Sequence, residues 1–352
     1  MSVTVIFAIL PLIVVGAALW LVPSLSRRDQ FFGVTVPPAF RRTRMARKIL
    51  WCYRWWVTAQ CALAWGALTF GLPAGTATAD AVGPGGGVWA WLPFVWPLVG
   101  TLPALLGARN AIRPYAATPV PVGRVRVASL RQRPDALPGG VAAWSGPPVL
   151  LLLAAAFVAF HWSAIPVRFA VHWGIDGQPN GWANRSLPGV FQTVAVGLGV
   201  YLTMLFSVWQ MGRQARGSAA MRVYTGRLLL AGSYLIACVF AGLTITLPFG
   251  ASWGRPGILA LVITSAIALF VAGAFVSGLR LRAAERVAAP DASAADARWL
   301  GGFVYFNPED PAVFVEKRLG IGYTVNFARP SAWIYLVILV LFPAACLWIR
   351  SR

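Results

Sequence analysis

Carboxylates are scarce in this chain: 352 residues hold ten Asp and Glu against thirty Lys and Arg. All ten, Asp29, Asp80, Asp135, Asp176, Glu285, Asp291, Asp296, Glu309, Asp310 and Glu316, fall outside the long apolar runs. An ion-coupled transporter binds its proton or sodium on an ionisable group at membrane depth, so a coupled pump is disfavoured. Histidine occurs twice, and the four cysteines, Cys52, Cys61, Cys238 and Cys346, sit inside or at the edges of apolar runs. That spacing makes neither a disulfide framework nor a metal site, and the cysteines read as small buried hydrophobes. No nucleophile–base pair stands out, so no catalytic residue, metal or cofactor is expected. Lysine is limited to Lys48 and Lys317, and the Arg, Ala and Gly bias is that of a GC-rich bacterial genome.

What the chain has is apolar surface. With 58% hydrophobic residues, 11% charged residues and a mean hydropathy of +0.69, one soluble core cannot bury it all, and a multi-pass membrane protein is expected. A span needs roughly 20 apolar residues. Val3 to Val22, Leu50 to Leu72, Val88 to Leu106, Val149 to Trp162, Leu187 to Met211, Leu228 to Leu247, Ile258 to Leu279 and Trp333 to Ile349 qualify, the fourth with a start nearer Trp144. Met1 to Thr4 carries no basic side chain and the run after it is longer than a signal-peptide core, so the first span is expected to be retained.

Basic residues near span ends stay cytoplasmic. With the N-terminus outside, only Arg168, Arg185, Arg255, Arg350 and Arg352 of the thirty basic residues face out. Both termini are therefore expected outside, in the inner membrane of a bacterial cell. The net charge of +20 follows from these clusters, and no nucleic-acid partner is expected. The expected fold is an all-α transmembrane helical bundle of about eight spans, with an extracytoplasmic turn-rich loop and a small cytoplasmic strand-and-turn module. It divides into residues 1–143, 144–211, 212–282, 283–330 and 331–352.

Of the connectors, Phe31 to Phe40 reads either as a segment at headgroup level, with arginines for anionic lipid, or as an ordered connector. Pro73 to Gly87 is a flexible loop, not a phosphate cradle. Arg109 to Pro148 reads as an extended surface segment, and Ala283 to Ala297 as a helical extension fading into a linker. From Trp299 to Pro330 the runs Phe303 to Phe306, Ala312 to Val315 and Tyr323 to Phe327 are β-prone and separated by strong turn signals. Glu309, Asp310 and Glu316 near Lys317 and Arg318 are expected to form a solvated charge cluster.

The longest polar, turn-rich stretch on the expected outer side is Ile165 to Ser186. Asp176-Gly177 and Asn180-Gly181 are turn dipeptides around Pro179, so a compact loop is expected. Trp173 and Trp182 suit the outer interface. His172 and Asp176 would share a face of a helix, but Gly174 and Gly177 argue against helix, and one His with one Asp is an incomplete ligand set. His172 is expected to hydrogen-bond the loop into shape and Asp176 to cap a turn.

Ile165-Pro166, His172-Trp173-Gly174, Asp176-Gly177-Gln178-Pro179, Trp182 and Arg185-Ser186 resemble a bacterial extracytoplasmic signature, a domain of unknown function often joined to the SdpI immunity module. Tyr305, Asn307-Pro308, Asp310-Pro311, Lys317-Arg318, Gly320, Gly322 and Asn326-Phe327 resemble a second small bacterial domain of unknown function. Phe32-Gly33-Val34 and Val36-Pro37-Pro38 also recur near the start of such proteins. SdpI-type relatives confer self-protection against a secreted peptide toxin and relay its presence to a regulator. The chain departs by ending in the second domain, with no SdpI module in spans five to eight.

The resulting expectation is a non-enzymatic integral membrane protein of the bilayer that senses, or confers immunity to, an envelope-directed peptide or other ligand, with a cytoplasmic regulator as partner. Ligand-binding candidates are His172, Asp176, Gln178, Asn180, Trp182 and Arg185. Candidates in the cytoplasmic module are Tyr305, Asn307, Asp310, Lys317, Arg318 and Asn326. A passive transporter or channel and an interfacial lipid-acting enzyme using His172 are the alternatives.

Overall fold

The computed structural model describes residues 3–70, 87–117, 137–173, 179–214, 218–249, 256–284 and 298–351. Most of the loop at 73–87, the centre of the connector after α3 and most of the linker before Trp299 lie outside these residues. Eight α-helices are described: α1 Val3–Leu25, α2 Arg44–Phe70, α3 Gly87–Ile112, α4 Gly140–Phe160, α5 Leu187–Gln214, α6 Ala219–Thr246, α7 Pro256–Ala284 and α8 Pro330–Ser351. Each overlaps most of one expected apolar run. The fourth starts earlier than its apolar run and stops before Trp162, which lies in a short 3₁₀ turn.

Gly140–Phe160, Leu187–Arg213, Ala219–Thr246 and Leu261–Ala283 are long and apolar enough to cross a membrane. Pro11–Leu25 and Pro330–Leu339 are shorter apolar stretches. Leu153, Phe160 and Leu269 are 62%, 86% and 74% exposed, whereas Ser233 and Thr244 are buried. Exposed apolar faces around buried hydroxyls would leave large patches in water, and a lipid bilayer covers them.

Two helix groups form the bundle. α1 packs on α2 and α3, α4 on α5 and α6, α7 bridges α1 and α6, and α8 lies on α5. Prolines inside the helices explain several of these joints. A proline donates no backbone hydrogen bond, so the carbonyl four residues earlier is orphaned, and lipid offers no replacement. In α4 the consecutive Pro147 and Pro148 orphan Ala143 and Trp144. The Tyr234 hydroxyl of α6 donates to the Ala143 carbonyl at 2.9 Å, and the Tyr201 hydroxyl of α5 donates to that of Trp144 at 2.6 Å. In α1, Pro23 orphans Leu19, and the Tyr53 hydroxyl of α2 donates to it at 2.9 Å. Three proline-vacated carbonyls are thus answered by tyrosines from neighbouring helices.

The Phe31 to Phe40 segment is the ordered connector. β1 (Gln30–Phe31) and β2 (Val34–Thr35) form a tight hairpin whose turn residues Phe32 and Gly33 have φ of 47° and 73°. That pair of left-handed conformations is what a two-residue hairpin turn requires. Phe32 is fully buried, edge-on to the Tyr53 ring. Gly33 sits against Gly302 of the C-terminal module, and the Arg109 guanidinium donates to its carbonyl at 2.6 Å.

The proline–tyrosine joints yield a coupling test. Tyr234→Phe and Tyr201→Phe are each expected to destabilise the detergent-solubilised protein by about 1–3 kcal/mol, leaving a buried carbonyl unpaired. Pro147→Ala restores the helix's own donor, so thermal unfolding of the double variant should show most of the Tyr234→Phe cost removed.

Candidate functional site

The stretch 165–186 folds as a β-hairpin, not as a loop held by turns alone. β3 (Arg168–Trp173) pairs antiparallel with β4 (Pro179–Asn184), with register shifts around His172. The alternation in RFAVHW drives it: Phe169 is buried with Ala183 against Val190 of α5 and Val158 of α4, while Arg168 and His172 face away. Gly181 lies opposite His172, and any Cβ there would come within 2.7 Å of the histidine's own Cβ.

One exposed face carries Arg168, Trp182 and Asn184, and His172, also exposed, lies beyond the register shift. The Arg168 guanidinium lies 5.2 Å over the Trp182 ring, a cation–aromatic pair at the hairpin surface. Arg168 is the member that turn signals conceal; the period-two pattern places it with His172. Arg185 is not on this face. Its guanidinium donates to the carbonyls of Ile165 at 2.9 Å and Ser163 at 3.4 Å, closing the base of the hairpin. Ser186 then caps α5 through the Gly189 amide at 3.2 Å. Asn180 belongs to β4, and Asp176 and Gln178 lie outside the described residues. Beneath the hairpin, Val171, Gln192, Thr193 and Thr244 line a cavity of about 20 Å³, room for a water and not for an organic ligand.

At the other end of α5 stands the 299–330 module. β5 (Trp299–Leu300) pairs with β6 (Val304–Tyr305), and β7 (Phe314–Glu316) with β8 (Tyr323–Val325). Asn326 joins the two hairpins. Its Oδ1 accepts from the Asn307 and Ala328 amides at 3.0 and 3.2 Å, and its Nδ2 donates to the Asn307 and Asp310 carbonyls at 2.8 and 3.1 Å. Asp310 accepts from the Tyr305 hydroxyl at 3.0 Å and the Ala312 amide at 3.0 Å, and Asn307 Nδ2 donates to the Tyr305 oxygen at 3.1 Å. Tyr305, Asn307, Asp310 and Asn326 therefore come together as a network that builds the module. With all four of its hydrogen-bonding positions filled, the buried Asn326 has no capacity left for a ligand.

Lys317 and Arg318 are not in that network. Lys317 is exposed, and Arg318 is buried with its guanidinium 5.6 Å over the Trp299 ring. Burial and the positive charge of Arg109 push the Arg318 pKa down to about 10, with Asp29 opposing, so it stays charged at neutral pH. The expected solvated charge cluster does not form, because the acids turn to different partners. Glu309 meets Arg298 at 3.0 Å in solvent, Asp310 turns inward, and Glu316 pairs with the buried Arg282 of α7 at 3.2 Å. Arg282 also donates to the Leu25 carbonyl that ends α1, at 2.9 Å.

Asn326→Asp replaces two donors by acceptors facing two carbonyls. This substitution is expected to unfold the module locally, read as faster proteolytic cutting after Arg298 with a fall in melting temperature, while Lys317→Gln leaves both unchanged.

Two family profiles match the chain. One, described as a domain of unknown function (DUF1648), covers residues 149–198, from α4 through the hairpin into α5. The other, described as a family of unknown function (DUF5808), covers residues 308–333, from the Asn326 network to the start of α8. No curated protein and no solved structure matches.

Proposed function

We propose that the chain is a non-enzymatic receptor of the bacterial inner membrane, with eight spans and both termini outside. It binds an envelope-directed peptide on the exposed face of the β3–β4 hairpin and passes the bound state to the cytoplasmic module, where a regulator reads it. In this reading residues 144–211 are the ligand-facing unit and 283–330 the relaying one. Kinship with SdpI-type immunity proteins belongs to the same proposal.

The observation that carries it is the placement of α5. Its first turn is joined directly to β4, and its last turns, at Val208 and Met211, share one core with Phe314 and Val325 of the module. A helix of 28 residues is about 42 Å long, so one rigid rod touches both polar units. Arg168, His172 and Trp182 offer a cation and aromatic surface suited to a peptide with an acidic group beside an apolar one.

Placing single cysteines at Asn180 and Gln214 in a cysteine-free background tests the orientation. An impermeant maleimide on intact cells should label only Asn180→Cys, and equal labelling of both overturns the arrangement. For the ligand, a deletion strain should be more sensitive to at least one of a panel of envelope-active peptides. Wild type, but not Arg168→Ala/Trp182→Ala at equal membrane abundance, should restore resistance. A deletion that changes neither peptide sensitivity nor expression of neighbouring genes sinks the reading.

A further inference from the structure

We propose that one face of α2 is a binding surface for the phosphate headgroups of anionic phospholipids. At 3.6 residues per turn Arg44, Arg47, Lys48, Trp51 and Trp55 fall within an arc of about 100°. All five are exposed, the tryptophans at 56% and 66%. The opposite arc, Ala46, Tyr53, Val57, Gln60 and Ala64, is buried on the neighbouring helices. The surface is therefore a complete helix face that no described residue covers, basic at its start and aromatic one turn further in.

Charge decides the occupant. No acidic residue lies between Asp29 and Asp80 in the sequence. No side chain of a described residue pairs with Arg44, Arg47 or Lys48. These cations crowd the first turn of a helix whose N-terminus is itself positive and has no acid to offset it. Thr43 caps that terminus through the Ala46 amide at 3.2 Å, so the turn is formed and its cations are held side by side. Trp51 and Trp55, with ring centroids 6.4 Å apart, give an indole platform at the depth where acyl chains meet headgroups. A headgroup phosphate on the cations with its acyl chains along the indoles satisfies both halves of the face, which free phosphate cannot do. The leaflet that supplies the lipid follows from the orientation proposed above; the headgroup chemistry does not depend on it.

The full chain is reconstituted in nanodiscs of phosphatidylcholine, alone or mixed with phosphatidylglycerol. Melting temperature is read in both, and phosphatidylglycerol retained after detergent extraction is read by native mass spectrometry. Wild type should melt higher in the mixed discs and retain phosphatidylglycerol. Arg44→Gln/Arg47→Gln/Lys48→Gln should lose most of both effects while melting like wild type in phosphatidylcholine. The charge-matched control Arg213→Gln/Arg227→Gln/Arg280→Gln should keep them. Should the triple variant fold poorly, Arg47→Gln and Trp51→Leu singly carry the test, each with a partial loss. Equal retention by wild type and the α2 variants, equal loss in the control, or the same stabilisation from inorganic phosphate in phosphatidylcholine discs overturns the proposal.

Discussion

A carbonyl without a donor is the constraint on which this bundle depends. In lipid no water can repair the hydrogen bond that a proline removes, and at Pro23, Pro147 and Pro148 a hydroxyl from a neighbouring helix does so instead. Tyr53, Tyr201 and Tyr234 do so for Leu19, Trp144 and Ala143. Their donation fixes more than a local defect. It sets α2 against α1, and α5 and α6 against α4, at a definite height. Each bond contributes only about 1 kcal/mol net, but leaving its carbonyl bare costs more, so registers that break the pairing are excluded.

The arginines follow the same rule outside the spans. With ten acids for thirty basic residues, few guanidiniums can find a carboxylate, and many are directed to backbone carbonyls instead. Arg41 reaches those of Pro23 at 2.7 Å and Arg27 at 3.2 Å, Arg109 that of Gly33, Arg185 that of Ile165, and Arg329 that of Asp310 at 2.6 Å. The fork of donors on arginine suits this role where a lysine's point charge does not, which gives the near-absence of lysine a structural sense beside a compositional one.

The helices were legible because apolar runs near span length leave few other solutions, and the β-prone runs of the 299–330 module because Gly and Pro punctuate them. The connections were not. Arg109 meets Gly33 76 residues away, and Arg282 meets Leu25 at a separation of 257; no local pattern marks either pairing. In the hairpin, the Asp-Gly and Asn-Gly turn signals mask a period-two alternation only six residues long, so nothing in them marks Arg168 as the cation that stacks on Trp182. In the module, Asn326 and Asp310 read as candidate site residues because polar side chains among turns signal either binding or architecture. Only the filled hydrogen bonds of Asn326 separate the two.

How a state could cross this molecule is limited by what holds the module in place. Arg282 and Glu316 are an ion pair with side chains only 4% and 10% exposed, and the same guanidinium caps the end of α1. Parting such a pair strands two buried charges, at a cost of about 3–5 kcal/mol. Arg109 adds a second clamp, wedged between Gly33 and Gly302 where no side chain would fit. A ligand shifts an equilibrium only by its differential affinity for the two states, and a peptide on an exposed hairpin has few kcal/mol to offer. Undocking the module would consume all of it. The cheaper motion keeps both clamps closed and moves α5 with Val208 and Met211 against Phe314 and Val325, apolar contacts that slide without stranding a charge. A relay of the kind proposed would therefore run along the packed face of α5, with the arginine clamps as its fixed points.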